Sequence, residues 1–227
     1  SDTLFYILLD ILFEENHYAR IVSKPIKNDL LNTQGEDLEV VLPSVDCILG
    51  DKLTAFAPHT TGIPLGIGKE LEIIKQMYDV AALIDVFDDF EDVYNSYMAI
   101  VETEINYRGL DISANEVLMD TIDTAACIAG RGQIGSEYPM YLAGIKSIST
   151  HIYDERYSAE KAVLSACKTM YLAACTLRKS NFEKVIDCNL YLDRNIGKSN
   201  YSKLSKLRKF NAEAFSYVVK TVELLEK

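Results

Sequence analysis

Four charged side chains in the N-terminal part of the chain stand in settings where they could do chemistry. Asp10 interrupts the apolar run from Leu4 to Phe13, and an ionised carboxylate in such a run must be compensated by a metal ion, a cation or hydrogen-bond donors. Lys52 lies beside the apolar stripe of a predicted helix, where its ammonium could bind a phosphate. Lys75 and Asp79, four residues apart, share one face of a second predicted helix.

Each of these positions also has a purely structural interpretation. Asp10 could lie on a strand whose second face opens to solvent near it. Lys52 could pack its stem against the core and carry its ammonium to the surface. Lys75 and Asp79 could form a solvated ion pair worth a few tenths of a kcal/mol. The spacing alone leaves both sets of interpretations open.

The elements that must position these residues begin with β structure. The run from Leu4 to Phe13 predicts a buried strand, and Leu38 to Leu42 predicts a second one that Pro43 ends. Ser44 has the chemistry of a helix N-cap, and Asp46 follows in the first turn, where the helix dipole favours a carboxylate. The first quarter therefore reads as strand, strand and helix.

The rest of the chain is helical in period, with no further β pattern of comparable strength. We expect helices near 69–87, 89–107, 113–129, 138–151, 158–179, 181–194 and 201–226. The fold class is α+β, mostly α: a small α/β portion followed by a C-terminal helical bundle. The corresponding division is an α/β portion over 1–58, a connecting loop over 59–68 and a helical bundle over 69–227.

The glycine-rich loop before Lys69 does not match a Walker A motif. Ile63 stands where that motif requires its first Gly, and Glu70 replaces its Ser or Thr. We expect a flexible connector that could close over a site. The three histidines are dispersed without ligand spacing, and no Ser/His/Asp or Cys/His constellation is indicated.

Composition indicates a folded protein, with 48% hydrophobic and 25% charged residues. No apolar run approaches the roughly 18 residues of a membrane helix, and the five cysteines include no C-x-x-C pair, so a cytosolic location without disulfides is expected. Cys167 and Cys175 lie in an apolar helical pattern and are expected to be buried thiols. The net charge of −11 argues against nucleic-acid binding by the chain as a whole.

That charge is unevenly distributed. Residues 1–68 and 69–137 are acidic, whereas residues 138–227 hold 15 basic and 9 acidic side chains. The basic excess is densest in a stretch without acidic residues, which contains Arg194, Lys198, Lys203, Lys206, Arg208 and Lys209. This basic segment is either a solvated face or a contact for RNA.

The order of these pieces resembles the AbiEii/AbiGii toxin family, the nucleotidyltransferase component of bacterial type IV toxin–antitoxin (abortive-infection) systems. The segment over 48–64 contains Asp-Lys-Leu-x-Ala at 51–55, and Lys-x-x-x-Asp follows at 75–79. The two resemble the later signature motifs of that family. The resemblance covers about residues 4–110, and the remaining helices match only in kind.

The resemblance implies a polymerase-β-like nucleotidyltransferase sheet and assigns roles. Asp10 would be a catalytic, Mg²⁺-binding carboxylate, Lys52 the lysine that holds the nucleotide phosphates, and Asp79 the acidic residue of the last motif. Lys75 would assist in binding the nucleotide. The implied reaction moves NMP from an NTP to an acceptor hydroxyl, in some members the 3′ end of tRNA, with Mg²⁺ bridging carboxylates and phosphate.

One departure from the family pattern bears on activity. The first motif, Gly-Gly or Gly-Ser followed by Asp-x-Asp, should precede the Asp10 strand, and only nine residues precede Asp10. We therefore expect the C-terminal portion of a longer protein that is inactive alone and binds NTP weakly. An antitoxin is a possible partner.

The alternative hypothesis is a non-catalytic helical interaction module. Its acidic middle, residues 85–92, would meet a basic protein partner; the acids are Asp85, Asp88, Asp89, Glu91 and Asp92. The missing first motif and the many amphipathic helices favour this hypothesis.

Overall fold

The computed structural model describes residues 9, 11, 13, 15–27, 32, 34–152 and 156–227. Over these residues the fold is mostly α with one small antiparallel sheet, as the sequence predicts. The strands are β1 (Ile21–Pro25) and β2 (Glu39–Pro43). The helices are α1 (Val45–Ala55), α2 (Glu70–Ile84), α3 (Phe90–Arg108), α4 (Ala114–Gly130), α5 (Tyr138–Ile148), α6 (Ala159–Arg178) and α7 (Ala212–Leu225), with 3₁₀ helices at Cys188–Leu190 and Ser202–Lys209.

The sheet delivers the chain to α1. β1 and β2 pair with Ile21 opposite Pro43 and Pro25 opposite Glu39. At the end of β2 the Ser44 N–H donates to the carbonyl of Arg20, and the Ser44 hydroxyl accepts the N–H of Cys47 at 3.2 Å. The predicted second strand and the predicted N-cap are thus confirmed. The sequence pattern does not predict β1.

The predicted strand over Leu4 to Phe13 is not formed at the three positions of this run that the structure describes. Leu9, Ile11 and Phe13 are exposed and belong to no strand. Within the described residues β1 and β2 pair only with each other, so these positions have no neighbouring strand to join. The other residues of the run, Asp10 among them, lie outside the described residues.

A single hydrophobic core runs through the helices. α1 packs against α3 and α2, α2 against α5, and α4 and α7 both pack against α6. Leu49 and Leu53 of α1 and Phe56, which directly follows it, belong to the same buried cluster as Met77 of α2 and Val101 of α3. The core therefore crosses residue 58, and the domain division there stays a prediction.

Two predicted helices differ from the structure. The stretch 181–194 holds only the 3₁₀ turn Cys188–Leu190, because the Asp187 carboxylate accepts the N–H of Asn189 at 2.9 Å and competes with helical hydrogen bonds. The stretch 201–226 breaks at Asn211, whose side chain accepts the N–H of Ala214 and begins α7 as a new helix. The other predicted helices are confirmed to within a few residues.

No helix in the described part of the chain is both long enough and apolar enough to cross a membrane.

Candidate functional site

Lys52 and Asp79, singled out in separate motifs, form an ion pair. The Lys52 ammonium lies 3.0 Å from Asp79 Oδ2 and 3.4 Å from the Gln76 side-chain oxygen. The side chains of Lys52 and Asp79 are 33% and 38% exposed. The ammonium is therefore held by two acceptors of α2 while remaining accessible from solvent.

Helix packing explains why the two residues meet. Lys52 stands in the last turn of α1, where a cation interacts favourably with the helix dipole. Leu49 and Leu53, on either side of it, are fully buried, as are Met77 and Val80 of α2 on either side of Asp79. Burying both apolar stripes between the helices leaves Lys52 and Asp79 at the rim of the contact.

A second carboxylate lies beside the ammonium. Asp51 accepts a hydrogen bond from the Tyr18 hydroxyl at 2.9 Å. Burial raises the pKa of Asp51, and this effect outweighs the opposing effects of the Tyr18 hydrogen bond and the Lys52 charge. Asp51 thus ties the chain before β1 to the same end of α1.

Lys75 is exposed and makes no ion pair with Asp79, although the two are four residues apart. Asp79 is instead paired with Lys52 across the helix contact. The solvated pair between Lys75 and Asp79 is therefore not what the structure shows. Lys75 lies one turn before Asp79 on α2.

The predicted metal ligand is not placed by the structure, since Asp10 lies outside the described residues. Within the parts of the chain that are described, no group of three or more His, Cys, Asp or Glu side chains is arranged to hold a metal ion.

The structure also shows a cluster around His59 that the sequence did not predict. His59 Nδ1 lies 2.7 Å from Asp120 Oδ1, and His59 Nε2 lies 3.0 Å from Glu137 Oε1. Asp120 also accepts the backbone N–H of His59 and the hydroxyls of Thr60 and Thr124. We call His59, Asp120 and Glu137 the His59 clasp.

The clasp fixes the glycine-rich loop that follows α1. It ties the start of this loop to the middle of α4 and to the residue that precedes α5. Sequence reasoning missed it because Asp120 and Glu137 lie 61 and 78 residues from His59. No local motif carries that relationship. The loop is anchored at its N-terminal end, in contrast to the expected flexible connector.

Half of the basic segment is engaged within the chain. Arg208 donates to the carbonyl of Arg194 at 2.6 Å and lies over the Phe215 ring, while Lys203 donates to the carbonyl of Gln133 at 2.7 Å. The Arg194 guanidinium is 3.9 Å from Glu223. The exposed ammonium groups of Lys198, Lys206 and Lys209 remain available to an anionic partner.

The acidic segment over 85–92 is likewise partly neutralised within the chain. Asp85 pairs with Lys168 at 2.6 Å, and Asp92 pairs with Arg20 at 2.8 Å. Asp89 caps α3 by accepting the N–H of Glu91 at 2.9 Å. This segment offers a basic partner less unpaired charge than the sequence suggests.

Comparison of the chain with protein-family models, curated proteins and solved structures finds no match.

Proposed function

We propose that the chain carries the nucleotide-binding lysine of a nucleotidyltransferase toxin-like protein, which transfers NMP from an NTP to an acceptor hydroxyl. One observation carries the proposal: Lys52 Nζ lies 3.0 Å from Asp79 Oδ2. Lys52 and Asp79 belong to two motifs that resemble those of the family and that begin 24 residues apart in the sequence. The ion pair between the two side chains supports a common role for them.

The exposure of the ammonium suits this role. A one-third exposed ammonium can exchange one acceptor for a phosphate oxygen without unfolding the helix contact. Asp79 and Gln76 would hold the empty side chain in position, so that less conformational entropy is lost when phosphate binds. During transfer, a fixed cation stabilises the charge that develops on the departing pyrophosphate.

Mg²⁺ belongs to the proposal only through the resemblance and through Asp10. In the described part of the chain, no group of three or more His, Cys, Asp or Glu side chains is arranged to hold the ion. In the proposed role Lys52 would bind the nucleotide phosphates, and Asp79 and Gln76 would orient its ammonium.

The acceptor proposed from the resemblance is an RNA, such as the 3′ end of tRNA. The exposed ammonium groups of Lys198, Lys206 and Lys209 support this choice, because clustered cations supply most of the affinity for a phosphate backbone. Their contribution should fall steeply with salt concentration.

The test is transfer of label from α-labelled NTPs to total tRNA in the presence of Mg²⁺. It should use the full-length natural protein. We expect transfer by the wild type, a loss of about a hundredfold or more in Lys52→Ala, and no change in Lys146→Ala, which removes an exposed lysine of α5. Absence of transfer, or equal transfer by Lys52→Ala, would refute the proposal.

A further inference from the structure

A cavity of about 450 Å³ opens between the end of α4, the start of α6 and the 3₁₀ helix Ser202–Lys209. Its floor is apolar and includes Ala129, Val163 and Leu204, which are buried in the hydrophobic core. This volume falls in the range of pockets that hold small organic ligands. None of its lining residues belongs to α1 or α2, so it does not include Lys52 or Asp79.

Cations line the mouth of this cavity. Arg131, Lys203 and Lys206 all border it, against a single carboxylate from Glu160. Glu160 pairs with Arg131 at 3.2 Å but is itself largely exposed, so a competing anion can displace it at little cost. Lys206 is exposed, and its charge is available at the rim. The excess of positive charge selects an anionic ligand.

An aromatic ring stands at the same mouth. Phe210 borders the cavity and is 83% exposed, although a phenyl ring of this size is usually buried in a folded protein. An exposed ring beside lysines is the arrangement on which nucleobases stack while phosphates meet cations.

We propose that this cavity binds a nucleotide, with the base packed against Phe210 and over the apolar floor and with the phosphate at Lys206 and Arg131. The ligand is either a free nucleotide or the terminal nucleotide of a single-stranded RNA. This proposal does not depend on Lys52, because the cavity includes neither Lys52 nor Asp79, although it shares Lys206 with the surface proposed to contact the RNA acceptor.

The neighbouring surface bears on the source of the nucleotide. Lys206 also borders a second cavity of about 490 Å³, where Arg208 and Lys209 outnumber the single carboxylate of Asp193. A strand whose end occupies the first cavity would place its next phosphates along these residues. The RNA end therefore has additional cations to contact, whereas a free nucleotide does not.

Binding can be measured by fluorescence polarisation with two probes, a labelled mononucleotide and a labelled single-stranded RNA of about ten nucleotides. We expect Phe210→Ala to weaken binding about tenfold or more, and Lys206→Ala to weaken it and reduce its salt dependence. Binding of both probes with similar affinity assigns a free nucleotide, whereas tighter binding of the RNA assigns an RNA end. Both side chains are exposed, so these variants should fold normally, which their thermal melting checks.

Matched controls are Tyr107→Ala, which removes an aromatic ring that is 86% exposed on α3, and Lys146→Ala on α5. Both should bind as the wild type does. Binding of neither probe at concentrations up to about 1 mM, or equal losses in the control variants, would overturn the proposal. Binding lost in Lys52→Ala but retained in Phe210→Ala would overturn it too, while leaving the proposed function intact.

Discussion

The His59 ring lies between two carboxylates, with Nδ1 at 2.7 Å from Asp120 Oδ1 and Nε2 at 3.0 Å from Glu137 Oε1. Both ring nitrogens donate to these two partners only when the imidazole is protonated. The Asp120 side chain is only 6% exposed, so the His59 ring is its route to the solvent-facing side of the contact with Glu137. The clasp therefore links the position of the loop after α1 to a proton on His59.

The pH dependence of stability should reveal this proton. Burial lowers the pKa of His59, but its hydrogen bonds and charge interactions with Asp120 and Glu137 outweigh that effect, so the pKa is raised above its usual value. The stabilisation is then complete below about pH 6.5, the pKa of an unperturbed histidine, and is lost as the pH rises through the folded-state pKa. Because the His59 ring is 44% exposed and its ion pairs are screened by solvent, we expect His59→Gln to lose about 0.5 to 1 kcal/mol at pH 6 and less at pH 8.5.

Urea unfolding of wild type and His59→Gln at both pH values measures this difference. His17→Gln is the control, because His17 is exposed and lies outside the clasp. A His59→Gln deficit of the same size at pH 6 and pH 8.5 would mean that the protonated ring does not hold the loop.

The pair between Lys52 and Asp79 should matter little for folding. Both side chains are about one-third exposed, and ion pairs in such settings contribute about 0 to 1 kcal/mol. We expect a double-mutant cycle of Lys52→Met and Asp79→Asn, measured by urea unfolding, to give a coupling free energy below about 1 kcal/mol.

Nucleotide binding or transfer by the same Lys52→Met variant should nevertheless fall steeply. A coupling energy of about 3 kcal/mol or more, with unchanged nucleotide binding, would show that the pair is a structural link and not part of a phosphate site.

Asp46 should be far more important for stability than Asp79. Its side chain is 5% exposed and accepts the backbone N–H groups of Asp88 and Asp89 at 2.9 and 3.2 Å, in addition to its ion pair with Arg20. Removing it leaves donors between α1 and α3 without an acceptor. We expect Asp46→Ala to lose about 1 to 3 kcal/mol of unfolding free energy, and Asp46→Asn less, because it retains one acceptor oxygen.

The unfolding free energy that the Asp46 variants lose should also depend on pH, and it should be smaller in acid. Burial raises the pKa of Asp46, but the hydrogen bonds from Asp88, Asp89 and Arg20 outweigh it and lower the pKa below its usual value. The stabilisation is therefore present above about pH 4 and disappears as the pH falls through the folded-state pKa. Urea unfolding between pH 3 and 6 should show the wild type approaching Asp46→Asn at the acid end. A constant gap would contradict the charge-based explanation.

The chemistry of neighbouring residues was sufficient to predict much of the fold from the sequence. Ser44 and Ser113 have the side chains of N-caps and act as such, and the apolar stripes of α2 and α4 place Met77 and Ile122 in the core. The buried thiols expected at Cys167 and Cys175 are likewise confirmed. The failures lie where a local signal is ambiguous, as over 181–194, where capping side chains compete with a helical period.

The candidate site could likewise be predicted from the sequence only in part. Lys52 and Asp79 could be named from motif spacing, but that they pair with each other and not with Lys75 depends on how α1 crosses α2. The cavity bordered by Phe210 needs the break at Asn211, which the sequence pattern did not show. Contacts between distant segments carry no local signature, and so they required the structure.

The crossing of α1 over α3 depends on the absence of a side chain at Gly50. A Cβ atom there would overlap the carbonyl oxygen of Val93 and lie 2.9 Å from the backbone nitrogen of Tyr97. Gly→Ala within a helix ordinarily stabilises it by about 0.5 to 1 kcal/mol, yet here the backbones of two helices must separate. We expect Gly50→Ala to destabilise the protein by about 1 to 3 kcal/mol or more, measured by thermal and urea unfolding. Because α1 carries Lys52 and its pair with Asp79 in α2, the same variant should weaken nucleotide binding. A stabilised Gly50→Ala protein would show that α1 and α3 do not cross as closely as described.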